Sequence, residues 1–269
     1  MATISELPHA LTDIDRLRDK LGDRVPALFL DYDGVLTPIV DEPAAATLDP
    51  AMRDAVVAAA AALPVAVISG RDLDDVRGMV DVPGIAYAGS HGFDMLLAAG
   101  DRERKGDEYL EDLDDAQRRL DEQIGDLDGV TVERKRYAIA VHTRRARDAD
   151  VRERVGRVVE AVAGDHDRLR VTGGKDIEEF RPNIEWDKGR ALSRLMEVLA
   201  LDTDRHPPIY IGDDITDEDA FGAIAGTGIG IVVAGERDRS TVADLRLDNT
   251  YETADLLRLL TDLGREAQA

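Results

Sequence analysis

Two groups of acids stand out by where they fall. Asp31 and Asp33, in the stretch Asp31-Tyr32-Asp33-Gly34, follow the apolar run Ala27-Leu28-Phe29-Leu30. Asp213, Asp214, Asp217, Glu218 and Asp219 follow Ile209-Tyr210-Ile211-Gly212. Carboxylates at i and i+2 beyond a buried strand can converge on one cation or one substrate group, and Gly34 permits a sharp exit of the chain. A dense acid tract at a second strand end suits a hard divalent cation, which takes carboxylate oxygens. Glu218 and Asp219 equally suit the positive end of a helix starting there. Ser69-Gly70-Arg71 ends the run Val65-Ala66-Val67-Ile68 and is expected to start a helix, where a hydroxyl and unpaired N–H groups cradle phosphate. Lys188-Gly189 opens another helix. Taken singly, each is ordinary: solvated acids, a serine cap, an exposed lysine.

What could bring these residues together is the order of elements. Short apolar runs at 27–30, 65–68, 85–88, 209–211 and 229–233 alternate with helical stretches at 52–63 and 190–201. A further helix is expected at 11–21. That alternation predicts an α/β fold, a doubly wound, Rossmann-like parallel sheet with helices on both faces. Ligands bind such sheets outside the carboxyl ends of the strands. Asp31, Ser69, Ser90 and Asp213 all fall just past predicted strand ends. The middle of the chain breaks the pattern. Helical spacing at 109–124, alternation at 130–144 (one strand or a hairpin), a helix at 151–162, and strands at 169–172 and 176–180 joined by Gly173-Gly174 make an inserted α/β unit. The expected boundaries are 1–101 and 183–269 for the wound core and 102–182 for a smaller inserted domain.

Composition narrows the function classes. The chain has 269 residues, enough for one large domain or two small ones, with 43% hydrophobic and 33% charged residues. The formal net charge is −22, which opposes nucleic acid and anionic membrane surfaces as partners. No apolar run has the length of a membrane helix, and the N-terminal stretch lacks the apolar segment of a secretory signal. There is no cysteine, hence no disulfide, thiolate zinc site or cysteine nucleophile. A cytoplasmic protein is the simplest expectation, and a monomer, since no heptad seam is present.

The ordered set D-x-D-G, S-G, K-G and G-D-D-x-x-D resembles the haloacid dehalogenase-like superfamily of aspartate-nucleophile phosphatases. The tracts DYDGVLTPIV, ISGR, AGSHGFD, ERKRYAIAVHTR, EFRPNIEWDKG and IGDDITDEDAF, spanning about 27–221, look like the trehalose-6-phosphate phosphatase family. One departure is Val35, where the superfamily more often has threonine.

The resemblance implies Mg²⁺, an aspartyl-phosphate intermediate and the last step of trehalose biosynthesis. By it, Asp31 is the nucleophile and Asp33 the acid and base. Asp31, the Asp33 carbonyl and Asp213 hold the metal, with Asp214 and Asp217 behind them, holding metal-bound water or orienting Lys188. Ser69, Gly70, Arg71 and Lys188 bind phosphate. Glu133, Lys135, Arg144, Arg181, Asn183 and Glu185 contact the sugar, and His91 steadies the site or touches substrate. Arg181, Asn183 and Glu185, at spacing two, are expected on one extended face. Hinges for closure are expected near 100–103 and 180–184. The alternatives are a phosphatase of another sugar phosphate, such as sucrose 6-phosphate or a glycosyl-3-phosphoglycerate, and a non-catalytic sugar-phosphate-binding domain.

Overall fold

The computed structural model describes residues 2–40, 45–174, 176–235 and 237–268. Along the chain run β1 (Ala2–Thr3), α1 (Ile14–Leu21), β2 (Ala27–Leu30), α2 (Pro50–Ala60), β3 (Val65–Ile68), α3 (Leu73–Val80), β4 (Ala86–Gly89), β5 (Asp94–Leu96) and β6 (Arg102–Arg104). Next come α4 (Leu110–Ile124), β7 (Thr131–Lys135), β8 (Ala138–His142), α5 (Ala149–Gly164), β9 (Leu169–Gly174) and β10 (Ile177–Pro182). The last third holds α6 (Lys188–Val198), β11 (Pro208–Gly212), α7 (Glu218–Ala223), β12 (Ile229–Val233), β13 (Ser240–Thr241), β14 (Leu245–Leu247) and α8 (Thr250–Gln268).

Two compact units result, Met1–Glu103 with Trp186–Ala269, and Arg104–Glu185. The first is built on an eight-stranded sheet of order β14-β12-β11-β2-β3-β4-β5-β6. Neighbours from β14 to β4 are parallel, and β5 turns back antiparallel on β4. Every residue of β2, β3, β11 and β12 is buried, as a sheet covered on both faces requires. This is the α/β, Rossmann-like fold expected. The chain leaves β2 toward β3 and β4, then returns to β11, on the other side of β2, and moves outward to β12 and β14. The switch point therefore lies between β2 and β11, the place where such sheets bind ligands.

The second unit is a four-stranded antiparallel sheet, β7-β8-β10-β9. One face carries Ile139, Val141 and Phe180, which pack with Leu113, Leu120, Val155 and Val159 of α4 and α5. The stretch 130–144 is a hairpin turning at Arg136-Tyr137. β9 continues through Gly173 and Gly174 rather than ending before them, because both pair with β10. The sheet carries the unit past the expected boundary at 182: Pro182 still pairs with Leu169, and Asn183 N–H bonds the Arg168 carbonyl at 2.7 Å.

No helix among the described residues is long and apolar enough to cross a membrane.

Candidate active site

Asp31 and Asp213 directly follow the adjacent strands β2 and β11, and the Asp31 N–H is bonded to the Ile211 carbonyl at 2.9 Å. Beyond Asp31 the chain folds into a tight loop in which the Leu36 and Thr37 N–H groups both bond the Tyr32 carbonyl. Gly34 lies in this loop at φ +75, and a Cβ there would meet Asp213 Oδ2 at 2.1 Å. Glycine is thus required twice over, by conformation and by the carboxylate lying against it. Lys188 arrives from the first turn of α6. Gly189 lets that helix press on α7, since a Cβ would stand 2.3 Å from the Asp219 carbonyl. Asp187 caps α6, its side chain accepting from the Arg190 N–H at 2.8 Å.

Asp31, Lys188 and Asp217 are 6%, 3% and 0% exposed. Lys188 Nζ contacts Asp31 Oδ2 and donates to Asp217 Oδ1 at 2.7 Å. Asp217 is fully occupied. Its Oδ1 also accepts from Tyr210 Oη at 2.6 Å, and its Oδ2 accepts the N–H groups of Asp213 and Asp214, each at 2.9 Å. Arg239 reaches the carbonyls of Asp213 and Asp214 at 3.1 and 2.9 Å and fixes the same loop.

The electrostatics are unbalanced. Carboxylate oxygens of Asp31, Asp213 and Asp217 lie within 4.8 Å of one another, with one ammonium among them. Burial pushes Asp31 up to about 7 despite Lys188. Burial, then the Asp31 and Asp217 charges, pushes Asp213 up to about 8. Burial opposes the charge on Asp217 as well, but Lys188 overcomes it and holds that acid below its usual range. Burial would discharge Lys188, and the two aspartates outweigh it, so the ammonium persists. A buried surplus of negative charge built from carboxylate oxygens fits a hard divalent cation. Asp217 has spent its lone pairs, so Asp31 and Asp213 are the carboxylates placed to hold one.

Other expected residues fall differently. Asp33 and Arg71 form a two-pronged ion pair. Asp214 is exposed, and its side chain accepts from the Ile215 N–H at 2.6 Å, so it caps its own turn and does not reach Lys188. Ser69 is buried and adjoins Gly70 and Arg71, but these residues do not open a helix: α3 begins at Leu73, after Asp72 in the cap position. Ser69 Oγ accepts the Arg71 N–H at 3.1 Å, so that amide is already engaged. The Ser69 carbonyl accepts from the His91 N–H at 2.8 Å, and planarity of the trans peptide then turns the Gly70 N–H the opposite way. The His91 ring lies against Gly70.

In the second unit, one face of the sheet is polar. Register places Glu133, Lys135, His142, Glu179 and Arg181 together on it. Lys135 Nζ lies 3.5 Å from Glu179 Oε1, Arg181 pairs with Glu179, and His142 Nε2 lies 2.9 Å from Glu133 Oε2. Glu179 is the buried hub of this group and was not singled out from the sequence. Its spacing of two from Arg181 is the signal that could have found it. Asn183 and Glu185 do not continue the face. The strand ends at Pro182 and the Ile184 N–H turns back onto the Pro182 carbonyl, while Asn183 Nδ2 bonds the Asp167 carbonyl at 3.1 Å. Arg144 lies beyond the end of β8 and is exposed.

Two other features do not belong to the chemistry. A cavity of about 240 Å³ lined by Lys20, Arg24 and Pro207 opens at the opposite, amino-terminal end of the strands, and both basic groups are engaged there. His9, Asp248 and Glu252 also cluster, but Arg246 pairs with Asp248 and His9 with Glu252.

Comparison with known proteins gives a consistent answer. The trehalose-phosphatase family model matches residues 29–250. A trehalose-phosphate phosphatase of Mycobacterium avium (strain 104) is 43% identical over 269 residues, covering 96% of this chain and 68% of that protein. An uncharacterized glycosyl hydrolase of Mycobacterium tuberculosis (strain CDC 1551 / Oshkosh) is 42% identical over 99% of this chain, which spans 21% of its length. Among solved structures, the C-terminal domain of C. albicans trehalose-6-phosphate phosphatase superposes with a TM-score of 0.73 at 24% identity, covering 95% of this chain and 98% of that one.

Proposed function

The chain belongs to the trehalose-phosphatase family, and from that premise we propose that it hydrolyses trehalose 6-phosphate to trehalose and phosphate through a phosphorylated Asp31. The observation that carries the reading is the trio of carboxylates, Asp31 and Asp217 buried and Asp213 half-buried, gathered beside Lys188 at the switch point of the sheet. A Mg²⁺ ion held by Asp31, Asp213 and the Asp33 carbonyl would supply the positive charge that keeps Asp31 ionised and offsets phosphoryl charge.

The chain's own groups do the rest. Lys188 and the Gly70 N–H, with the Ser69 hydroxyl proton, bind phosphoryl oxygens and align phosphorus with Asp31. An Asp31 oxygen forms a bond to phosphorus as the bond to the sugar oxygen breaks, and Asp33 gives that oxygen a proton. Water then attacks phosphorus, the bond to Asp31 breaks, and Asp33 takes the water's proton. Asp217, locked by Tyr210 and two amides, holds Lys188 in place. On the second unit, Glu133, Lys135, Glu179 and Arg181 offer charged partners to sugar hydroxyls, and these directional bonds give selectivity. The reaction suits a biosynthetic enzyme of the cytoplasm.

Phosphate release from trehalose 6-phosphate, with Mg²⁺ and with EDTA, tests this. Turnover that needs the metal and is lost in Asp31→Asn is expected. A folded, metal-supplied protein that releases nothing would point to a binding domain instead.

A further inference from the structure

The Arg71 guanidinium forks onto both oxygens of Asp33, Nε to Oδ2 at 2.7 Å and Nη2 to Oδ1 at 2.6 Å. Both partners stand on anchored backbone. The Arg71 N–H is held by Ser69 Oγ, and the Arg71 carbonyl accepts the Ser90 N–H at 2.6 Å. The guanidinium also lies 5.4 Å from the centre of the Tyr32 ring, where a cation is attracted to the aromatic face. Asp33 sits in the tight loop closed by the Gly34 N–H to Thr37 carbonyl bond of 2.8 Å. The two side chains are 14% and 39% exposed, so the pair is partly sheltered and Asp33 keeps an open side. An arginine reserved for the substrate phosphoryl would keep its fork for that anion. Here both prongs are committed to a carboxylate 38 residues away in the chain.

We propose that Arg71 is a positioning residue for Asp33, aiming it in both proton transfers of the reaction; this rests on the trehalose 6-phosphate phosphatase reading above. Each carboxylate oxygen has two lone-pair sites. The fork takes one on each oxygen and fixes the carboxylate plane, leaving the outer sites to accept a proton. In the first transfer the proton on Asp33 goes to the sugar oxygen as its bond to phosphorus breaks; in the second a water oxygen bonds to phosphorus, the bond from phosphorus to the Asp31 oxygen breaks, and the water's proton goes to Asp33. Misaiming a base by an ångström can cost about a hundredfold. Lysine cannot reproduce the fork.

Rapid-quench measurement of trehalose and phosphate release from trehalose 6-phosphate, on the Mg²⁺-loaded wild type, Arg71→Gln and Arg71→Lys, tests the assignment. Both variants should release trehalose and phosphate more slowly than the wild type, with KM for trehalose 6-phosphate unchanged. Their kcat should fall by about tenfold or more. Arg71→Lys keeps the charge and most of the packing, so it separates lost aim from a fold defect. If KM rises while kcat holds, or Arg71→Lys keeps the wild-type kcat, Arg71 does not aim Asp33 and the assignment is overturned. A wild type that releases no trehalose would overturn the parent reading, a result distinct from the first.

Discussion

The end of the core sheet and the polar face of the second unit both gather charged side chains, and they do so under opposite rules. At the sheet end, Asp31, Asp213 and Asp217 surround one lysine, in a place where burial magnifies every charge. On the polar face, Glu179 lies between Lys135 and Arg181, and Glu133 pairs with His142, so the charges are nearly matched and most side chains remain part-exposed. The first arrangement is unsatisfied without a cation and suits chemistry on a phosphate. The second is satisfied by itself and can trade one polar partner for another, which suits reading hydroxyls.

The contrast is broken most severely at its centre. Asp31→Asn should reduce phosphate release at least about a thousandfold, since it removes the nucleophile and not merely a contact. The fold should survive, because a costly buried charge goes with it; a melting curve alongside the assay checks both. Lys188→Met should be felt in stability as well as rate. It strands Asp31 and Asp217 as buried anions, a loss of roughly 3–5 kcal/mol in denaturant unfolding without metal. Adding Asp217→Asn to that variant should recover part of the loss.

On the other region, Glu179→Gln should raise KM for trehalose 6-phosphate by about tenfold, the worth of a charge-assisted bond. It should leave the hydrolysis of p-nitrophenyl phosphate, which has no sugar, unchanged. Equal losses on both substrates would erase the distinction between the two regions.

The smallest effect is in pH. Asp31 and Asp213 stand at about 7 and about 8 against 3.8 for an ordinary aspartate, so the folded chain binds protons that the unfolded chain has released. Their stabilising contribution is full below about pH 4 and is lost as pH rises through 7 to 8. Mg²⁺ should therefore raise the melting temperature by a few degrees more at pH 8 than at pH 5. Asp213→Asn should flatten that difference.

The two regions also differ in how much of them the sequence discloses. Asp31, Ser69 and Asp213 each follow an apolar run that stops abruptly, and a parallel sheet sends all such ends to one edge, so that part was readable. Tyr210 was not, because a tyrosine within a buried strand looks like core until its hydroxyl is seen on Asp217. The Arg71–Asp33 pair joins positions 38 residues apart, and no local pattern announces it. In the second unit, alternation placed Glu133 and Lys135 on one face, but extending it from Arg181 to Asn183 and Glu185 failed. Periodicity holds only while the strand lasts, and Pro182 is its last residue.

The most direct test of the division between chemistry and recognition is a kcat/KM series. Trehalose 6-phosphate, sucrose 6-phosphate, glucose 6-phosphate and glucosyl-3-phosphoglycerate would be compared on the Mg²⁺-loaded wild type and on Glu179→Gln. Strong preference for trehalose 6-phosphate in the wild type, collapsing in the variant while glucose 6-phosphate changes little, is the predicted result. A different sugar phosphate turned over best, or a preference that Glu179→Gln leaves intact, would contradict it.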